Sequence, residues 1–326
     1  MKILYCAGIR GDFAKVYSLL RESIADAYIM AGDLLDSPFH SKERLDEFLS
    51  VQGELRGAME TEDQNTRPVE QFAEKLAGSA AAPLHDRAAL LLDLTSKARA
   101  TMLKKYAMLE TILASKPHAS VFAIPGGSDM PLSGTPLAAR SIDLTVRDLA
   151  PLRIAGIGGA DRFRPGFPEK GSRAGISFPA DVFSSLLDGF APGVLAFTYS
   201  PRPQPGKAIA ALPDIISTLA LAPGIRLALC HSGGGFTVPA ISEAVPLIES
   251  PSFGATDCHE GGFFYELEFD GDMLKNASLK KISADRVYDI AEYAVRDRSI
   301  AETVIDAKRY AALRDGNPFD SPNRGY

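Results

Sequence analysis

Ala27-Tyr28-Ile29-Met30-Ala31-Gly32-Asp33-Leu34-Leu35-Asp36 is the stretch on which the fold turns. Its unbroken apolar run reads as a buried strand, and the Gly-Asp that follows sets a carboxylate at the strand's carboxyl end. In open α/β sheets, ligands bind in the crevice outside that edge. Upstream, Lys2–Ala7 is a short β-rich run, and Asp12–Ser23 carries Phe13, Val16, Leu19 and Leu20 at helical spacing. Strand, helix and strand in this order make a βαβ unit, so the first two strands should run parallel.

Residues 41–116 read differently. Leu45, Phe48, Leu49 and Leu55, then Val69, Phe72 and Leu76, then Leu90, Leu91 and Leu94 recur at helical spacing, as do Met102, Leu103, Tyr106, Leu109, Ile112 and Leu113. Roughly three or four helices are expected, the last over about 95–115 and leading back to the sheet. The earlier ones read as an inserted helical cap, broken by a polar stretch at 60–67 and small residues at 78–83.

Beyond the cap, Ser120–Pro125, Leu152–Gly156, Val194–Tyr199 and Ile225–Cys230 read as strands, with helices over Ala180–Leu187 and Leu212–Ala222. Gly158-Gly159, just after the second of these strands, reads as a turn and not a dinucleotide fingerprint. Val245–Glu249, Phe263–Asp270 and Leu279–Ile282 read as a closing antiparallel set, with Gly271-Asp272 at a turn. Spacing from Asp297 to Arg314 is helical, and the Gly-, Pro- and Asn-rich residues after it read as an extended arm.

The 326 residues, 46% of them apolar, can bury a sizeable core in one large α/β domain with an insertion, or in two smaller domains. A formal charge of −6 favours neither nucleic acid nor an anionic membrane, so neither is an expected partner. The apolar runs are far shorter than the roughly 20 residues of a membrane span. The N-terminus enters a strand at once and does not read as a signal peptide. Cys6, Cys230 and Cys258 are an odd count without zinc-finger spacing, the mark of a reduced, cytoplasmic protein.

Gly8-Ile9-Arg10-Gly11-Asp12-Phe13, Gly32-Asp33-Leu34-Leu35-Asp36, Gly126-Gly127-Ser128-Asp129, Tyr199-Ser200-Pro201-Arg202 and Cys230-His231-Ser232-Gly233 each follow a strand, in this order. Together they resemble the strand-end motifs of the calcineurin-like metallophosphoesterases, over most of residues 1–285 apart from the cap. Glu249-Ser250-Pro251-Ser252-Phe253-Gly254 resembles the Asn-Pro-Gly-Ser turn that follows in that family. The resemblance implies a four-layer αββα sandwich with an inserted helical cap. The core would be 1–40 and 117–285, the cap 41–116, and a C-terminal helix and extended tail 286–326.

In that family the loops hold two divalent metals about 3.5–4 Å apart, which clamp a phosphoryl group and activate a bridging water. Matched to Asp-x-His, the first loop has Gly8 and Arg10. Gly-Asp-x-x-Asp is intact, with Asp33 at the bridging position. Gly-Asn-His-Asp has become Gly126-Gly127-Ser128-Asp129. The His of His-Ser-Pro-Pro is Tyr199, and of Gly-His-x-His only His231 remains. Of the ligand positions that can be matched, Asp33 and His231 alone keep a ligand of the expected type.

The resemblance therefore implies candidate ligand-binding residues Arg10, Asp33, Asp129, Tyr199, Arg202 and His231. Arg10 is a fixed cation where a metal-ligand His would stand, and is expected to pair with Asp33, Asp129 or both, or to bind an anion. Plainer readings stand beside these. Asp33 and Asp129 can serve as turn or capping groups, and Asp36 as a cap of the next segment. His231 can be a satisfied buried histidine, Tyr199 a packing residue and Arg202 a solvated loop charge. Asp257-Cys258-His259-Glu260 carries ligand-type residues, but neighbours on a strand face opposite sides.

The expectation is a catalytically degenerate, metal-free chain with no cofactor. It would act as a binding or scaffold subunit and recognise an anionic or phosphorylated ligand in the old cleft. Two other readings stay open. One is an active phosphoesterase hydrolysing phosphate esters at a rearranged or mononuclear Mn, Fe or Zn site built from Asp33, Asp129 and His231. The other is a structural subunit that docks a protein partner, or itself, through the cap.

Overall fold

The computed structural model describes residues 1–61, 67–78, 83–160, 164–172, 193–199, 224–231, 236–242, 244–257, 259–296 and 299–315. The βαβ unit is as read. β1 (Lys2–Ala7) and β2 (Ala27–Ala31) run parallel, with Ile3 opposite Ala27, and α1 (Phe13–Glu22) crosses between them. The Asp12 carboxylate accepts the Lys15 N–H at 3.3 Å and so caps α1. α2 (Lys42–Thr61), α3 (Val69–Ala77) and α4 (His85–Leu113) follow, and β3 (Ser120–Ile124) then pairs parallel to β2.

The chain continues through β4 (Val146–Leu149), β5 (Leu152–Ile157), β6 (Gly193–Phe197), β7 (Ile225–His231), β8 (Ala240–Ser242) and β9 (Val245–Ser250). It ends in β10 (Phe263–Asp270), β11 (Met273–Ser283), β12 (Arg286–Arg296), β13 (Ser299–Val304) and α5 (Ala307–Asp315). Among the described residues these make two sheets: a seven-stranded one ordered β13-β12-β11-β10-β1-β2-β3, and a six-stranded one ordered β4-β5-β6-β7-β9-β8.

Strand alternation sorts the side chains into layers. Ile3, Tyr5, Ile29, Ile154, Ala196 and Leu229 meet in the core between the sheets. Their neighbours Leu4, Tyr28 and Met30 pack outward against Leu19 of α1 and Tyr106 and Leu109 of α4. On the far face of the second sheet, Ile157, Leu195, Phe197 and Cys230 form a separate cluster. The helices read over 180–187 and 212–222 lie outside the described residues. The expected α/β sandwich is thus present as helices, sheet and sheet.

The helical insertion has its own core, in which Phe48, Leu55, Val69 and Phe72 meet Leu91, Leu94 and Ala98. α4 does not begin near residue 95. It is one 29-residue helix, about 43 Å long at the usual rise, because the Leu- and Ala-rich run from Ala88 has no breaker. Its N-terminal half belongs to the helical core. Its C-terminal half, through Met102, Tyr106 and Leu109, belongs to the sheet.

Two sequence expectations are corrected. Residues 299–304 are strand, not helix, and β12 with β13 extends the first sheet; only 307–315 is helical at this end. Val287, Tyr288, Tyr293, Val295, Ile300, Thr303 and Val304 are β-branched and aromatic residues that suit a pleated surface. β9 is not antiparallel to β10. It runs parallel to β7 in the second sheet, where it is buried on both faces. The tail beyond 315 lies outside the described residues. Among the described residues no helix is long and apolar enough to cross a membrane.

Candidate functional site

The carboxyl ends of β1, β2, β3, β5, β6 and β7 converge on one edge. Gly32 has φ of +58°, and a Cβ there would lie 2.9 Å from the Thr198 side chain. That left-handed turn swings the chain so that Asp33 emerges at the edge, its side chain 22% exposed. The loop after β3 passes so close that a Cβ on Gly126 would lie 2.1 Å from the Asp33 nitrogen.

Asp129 is fully buried and draws these loops together. One carboxylate oxygen accepts the Leu34 N–H at 2.9 Å and the Gly126 N–H at 2.8 Å, while the other accepts the Tyr106 hydroxyl at 2.9 Å. Burial pushes its pKa up to about 7, against the pull of the Leu34 and Gly126 N–H groups, and the nearby Asp33 raises it further. Asp129 thus ties two strand-end loops to α4.

His231 ends β7 on the face turned toward this edge. Its Nε2 lies 2.9 Å from Ser252 Oγ. Burial pulls its pKa down to about 4, with Asp33 opposing and Arg10 adding to the fall. This pair occupies the space in front of Gly8. A Cβ on Gly8, at φ +62°, would lie 2.6 Å from His231 Nε2 and 2.9 Å from Ser252 Oγ. Gly127 is blocked in the same way, since its Cβ would meet the Ala160 Cβ at 2.2 Å. Two of the positions where the resemblance puts a metal-ligand side chain are therefore filled by neighbouring protein. Among the described residues, no three His, Cys, Asp or Glu side chains are grouped so as to hold a metal ion. The donor set of the described residues does not fit a two-metal centre.

Arg10 stands in the first loop at φ +51°, its N–H donating to the Asp33 carbonyl at 2.7 Å. Its Nε is buried without a hydrogen-bond partner among the described residues. The expected ion pairs of Arg10 with Asp33 or Asp129 do not form. Asp129 is sealed by its own donors, and the guanidinium beside Asp33 is that of Arg164, with Nη1 3.8 Å from Oδ2. Arg164 also donates to the Asp36 carbonyl at 3.4 Å and lies over the Phe167 ring. The Asp36 side chain pairs with Lys105 at 3.1 Å.

Sequence reasoning missed Arg164. It lies in the loop after β5, whose Gly158-Gly159 was read only as a turn. Treating that loop as one more strand end on the same edge would have flagged it. Arg164 opens the segment 164–172, which lies across all three inserted helices. Gln52 of α2 accepts the Gly166 N–H at 2.8 Å and donates to the Phe167 carbonyl at 2.9 Å. The buried Glu169 carboxylate takes Arg56 and, at 2.8 Å, the Val69 N–H; Glu70 of α3 accepts the N–H groups of Glu169 and Lys170. Arg99 of α4 donates to the Lys170 carbonyl.

The remaining expected residues fall elsewhere. Tyr199 packs edge-on against Phe197, centroids 5.5 Å apart, with the cluster on the far face of the second sheet. Arg202, Ser232, Gly233 and Cys258 lie outside the described residues. The structure thus gathers Arg10, Asp33 and His231 with Arg164 at one edge, holds Asp129 beneath it, and turns Tyr199 toward the other face. The Arg164 guanidinium beside Asp33, with Arg10 in the adjoining loop, brings fixed positive charge to this edge, which suits the binding of an oxyanion.

No protein-family profile matches the chain, and no curated protein matches its sequence. Among solved structures it is similar to TT1561 of Thermus thermophilus, at 15% identity over 88% of this chain and 97% of that one, with a TM-score of 0.46. It is also similar to the NAD nucleotidase of Haemophilus influenzae, at 8% identity and a TM-score of 0.37, over 97% of this chain and 62% of the nucleotidase.

Proposed function

We propose that this chain is a degenerate member of the metallophosphoesterase-like fold, a binding subunit whose strand-edge cleft takes a phosphorylated or other oxyanionic ligand without metal. The observation that carries this reading is the Arg164 guanidinium 3.8 Å from Asp33 at the strand edge, with Arg10, whose charge is felt at His231, in the adjoining loop. They supply fixed positive charge where the resembling family places metal ions, and a guanidinium fork matches phosphate oxygens. The filled space before Gly8 and Gly127 supports the metal-free half of the reading. So does the commitment of Asp129 to three protein donors. No hydrolytic step is assigned: the hydroxyl and imidazole that meet at this edge, Ser252 and His231, are both buried.

The test is a calorimetric titration with inorganic phosphate, run beside metal analysis and a phosphodiester assay in manganese. The expected result is saturable phosphate binding that weakens in both Arg10→Ala and Arg164→Ala, with no stoichiometric metal and no turnover. Bound manganese at one or more equivalents, with hydrolysis lost in Asp33→Ala, would overturn the reading in favour of an active enzyme. Phosphate binding indifferent to both arginines would instead leave a structural subunit acting through the helices.

A further inference from the structure

A second cavity, of about 410 Å³, opens beside α5, between the loop that precedes β10 and the ends of β10 and β11. That volume lies in the range of small-molecule sites, about 300–1,000 Å³. Its floor is the Phe263 ring. His259 meets that ring edge-on with centroids 5.2 Å apart, and the Lys281 ammonium stands 5.1 Å from its centre. α5 supplies the opposite wall, with Lys308 and Arg309 and the apolar Ala312 and Leu313.

The walls are fixed in place. Gly261 and Gly262 have φ of +78° and +88°, and Cβ atoms there would lie 2.5 Å from the Phe253 carbonyl and 2.2 Å from the Ile282 carbonyl. Only glycine lets this loop lie so close. The Gly261 N–H donates to His259 Nδ1 at 3.1 Å, so the neutral imidazole carries its proton on Nε2 and remains a donor. Arg309 is held by Asp306 and by the Tyr288 ring, 4.1 Å away.

The charges are uneven in a telling way. Lys281 is 7% exposed, and a buried ammonium needs a partner. Its partner is Glu260, whose side chain is 74% exposed. A carboxylate that reaches Lys281 from the solvent side can be exchanged for the anionic head of a ligand. Lys281, Lys308 and Arg309 outnumber Glu260 and Asp306 at the rim. We infer that this cavity is a binding site, separate from the strand-edge cleft, for a small organic phosphate. The phosphate takes the place of Glu260 at Lys281, and a flat apolar body lies on Phe263.

Phenyl phosphate is the probe, and the methyl resonances of Ala312 and Leu313 are the local readout, since both groups line this cavity and neither lies at the cleft. Titration of the full chain should shift both methyls saturably. Lys281→Met should weaken the effect by about tenfold or more, as expected for loss of a charged hydrogen bond. Glu260→Gln, which keeps a hydrogen-bond acceptor for Lys281, should tighten binding by removing the competing carboxylate, with a denaturant midpoint confirming that the variant is folded. Inorganic phosphate, which lacks the ring, should act at higher concentration. Methyls that stay put in millimolar phenyl phosphate would overturn the assignment. So would an affinity indifferent to both Lys281→Met and Glu260→Gln. Inorganic phosphate binding as tightly as phenyl phosphate would overturn the part given to Phe263.

Discussion

Arg164 Nη1 lies 3.8 Å from Asp33 Oδ2, so the carboxylate of the one intact motif faces a cation from a distant loop. The two side chains are 34% and 22% exposed, and the pair is long. It should contribute less than about 1 kcal/mol to folding. Arg164→Ala should therefore leave the urea midpoint nearly unchanged while weakening phosphate binding by about tenfold. Arg164→Lys keeps the charge and loses the fork, so it should fall between the two.

Placing at Gly8 and Gly127 the side chains that the resemblance would have there should not create a metal site. Gly8→Asp places a Cβ 2.6 Å from His231 Nε2 at a left-handed φ. Gly127→Asn drives one into Ala160. Each should destabilise the fold by about 2–4 kcal/mol, read by denaturant unfolding. Calorimetry with manganese should show no stoichiometric site in either variant.

Asp129 and His231 should tilt the pH dependence of stability in opposite directions. Asp129 has its pKa raised to about 7, so the folded state holds a proton that the unfolded state has released above the ordinary carboxylate value. Its contribution is full below that value and is lost as pH rises toward 7. His231 has its pKa lowered to about 4, so the unfolded state takes up a proton first, and stability falls as pH drops from 6.5 to 4. In the native chain the two slopes partly cancel over this interval. His231→Gln should leave stability falling with rising pH, and Asp129→Asn should leave it rising. Urea midpoints between the two limits check both signs.

Glu169 should hold the helical insertion in place. Burial pushes its pKa up, and Arg56 with the Val69 N–H keeps it satisfied. Glu169→Ala strands both partners and should cost about 2–4 kcal/mol. Amide exchange should quicken in Val69–Ala77 and hold steady in β1 and β2. Glu169→Gln keeps an acceptor for Val69 and should lose less.

Much of the site's position was legible because it depends on local signals. An apolar run followed by Gly32-Asp33 fixes a strand and its edge with no knowledge of the rest of the chain. The order of Gly8, Gly32, Gly126 and His231 at strand ends follows from the same cue. The contacts of Arg164 were not legible, since the segment after it is seated by Gln52, Glu70 and Arg99 on three helices far away in sequence. The meeting of His231 with Ser252 required the parallel pairing of β7 with β9, in which His231 lies opposite Ser250. β12 was hidden for another reason. Its register on β11 shifts between Leu279 and Lys280, so that neighbours Ile290 and Ala291 are both buried, which breaks the alternation a reader would follow.

α4 is built into both halves of the molecule: Leu91 and Leu94 lie in one core, Tyr106 and Leu109 in the other, with no break between. A hinged lid needs a joint, and this insertion has a girder. The helices cannot swing away from the cleft without bending that rod or dragging the sheet with it. Residues 164–172 are seated on the same helices through Gln52, Glu70 and Arg99, so Arg164 is part of the frame as well. Asp33 thus meets a guanidinium carried on a fixed scaffold.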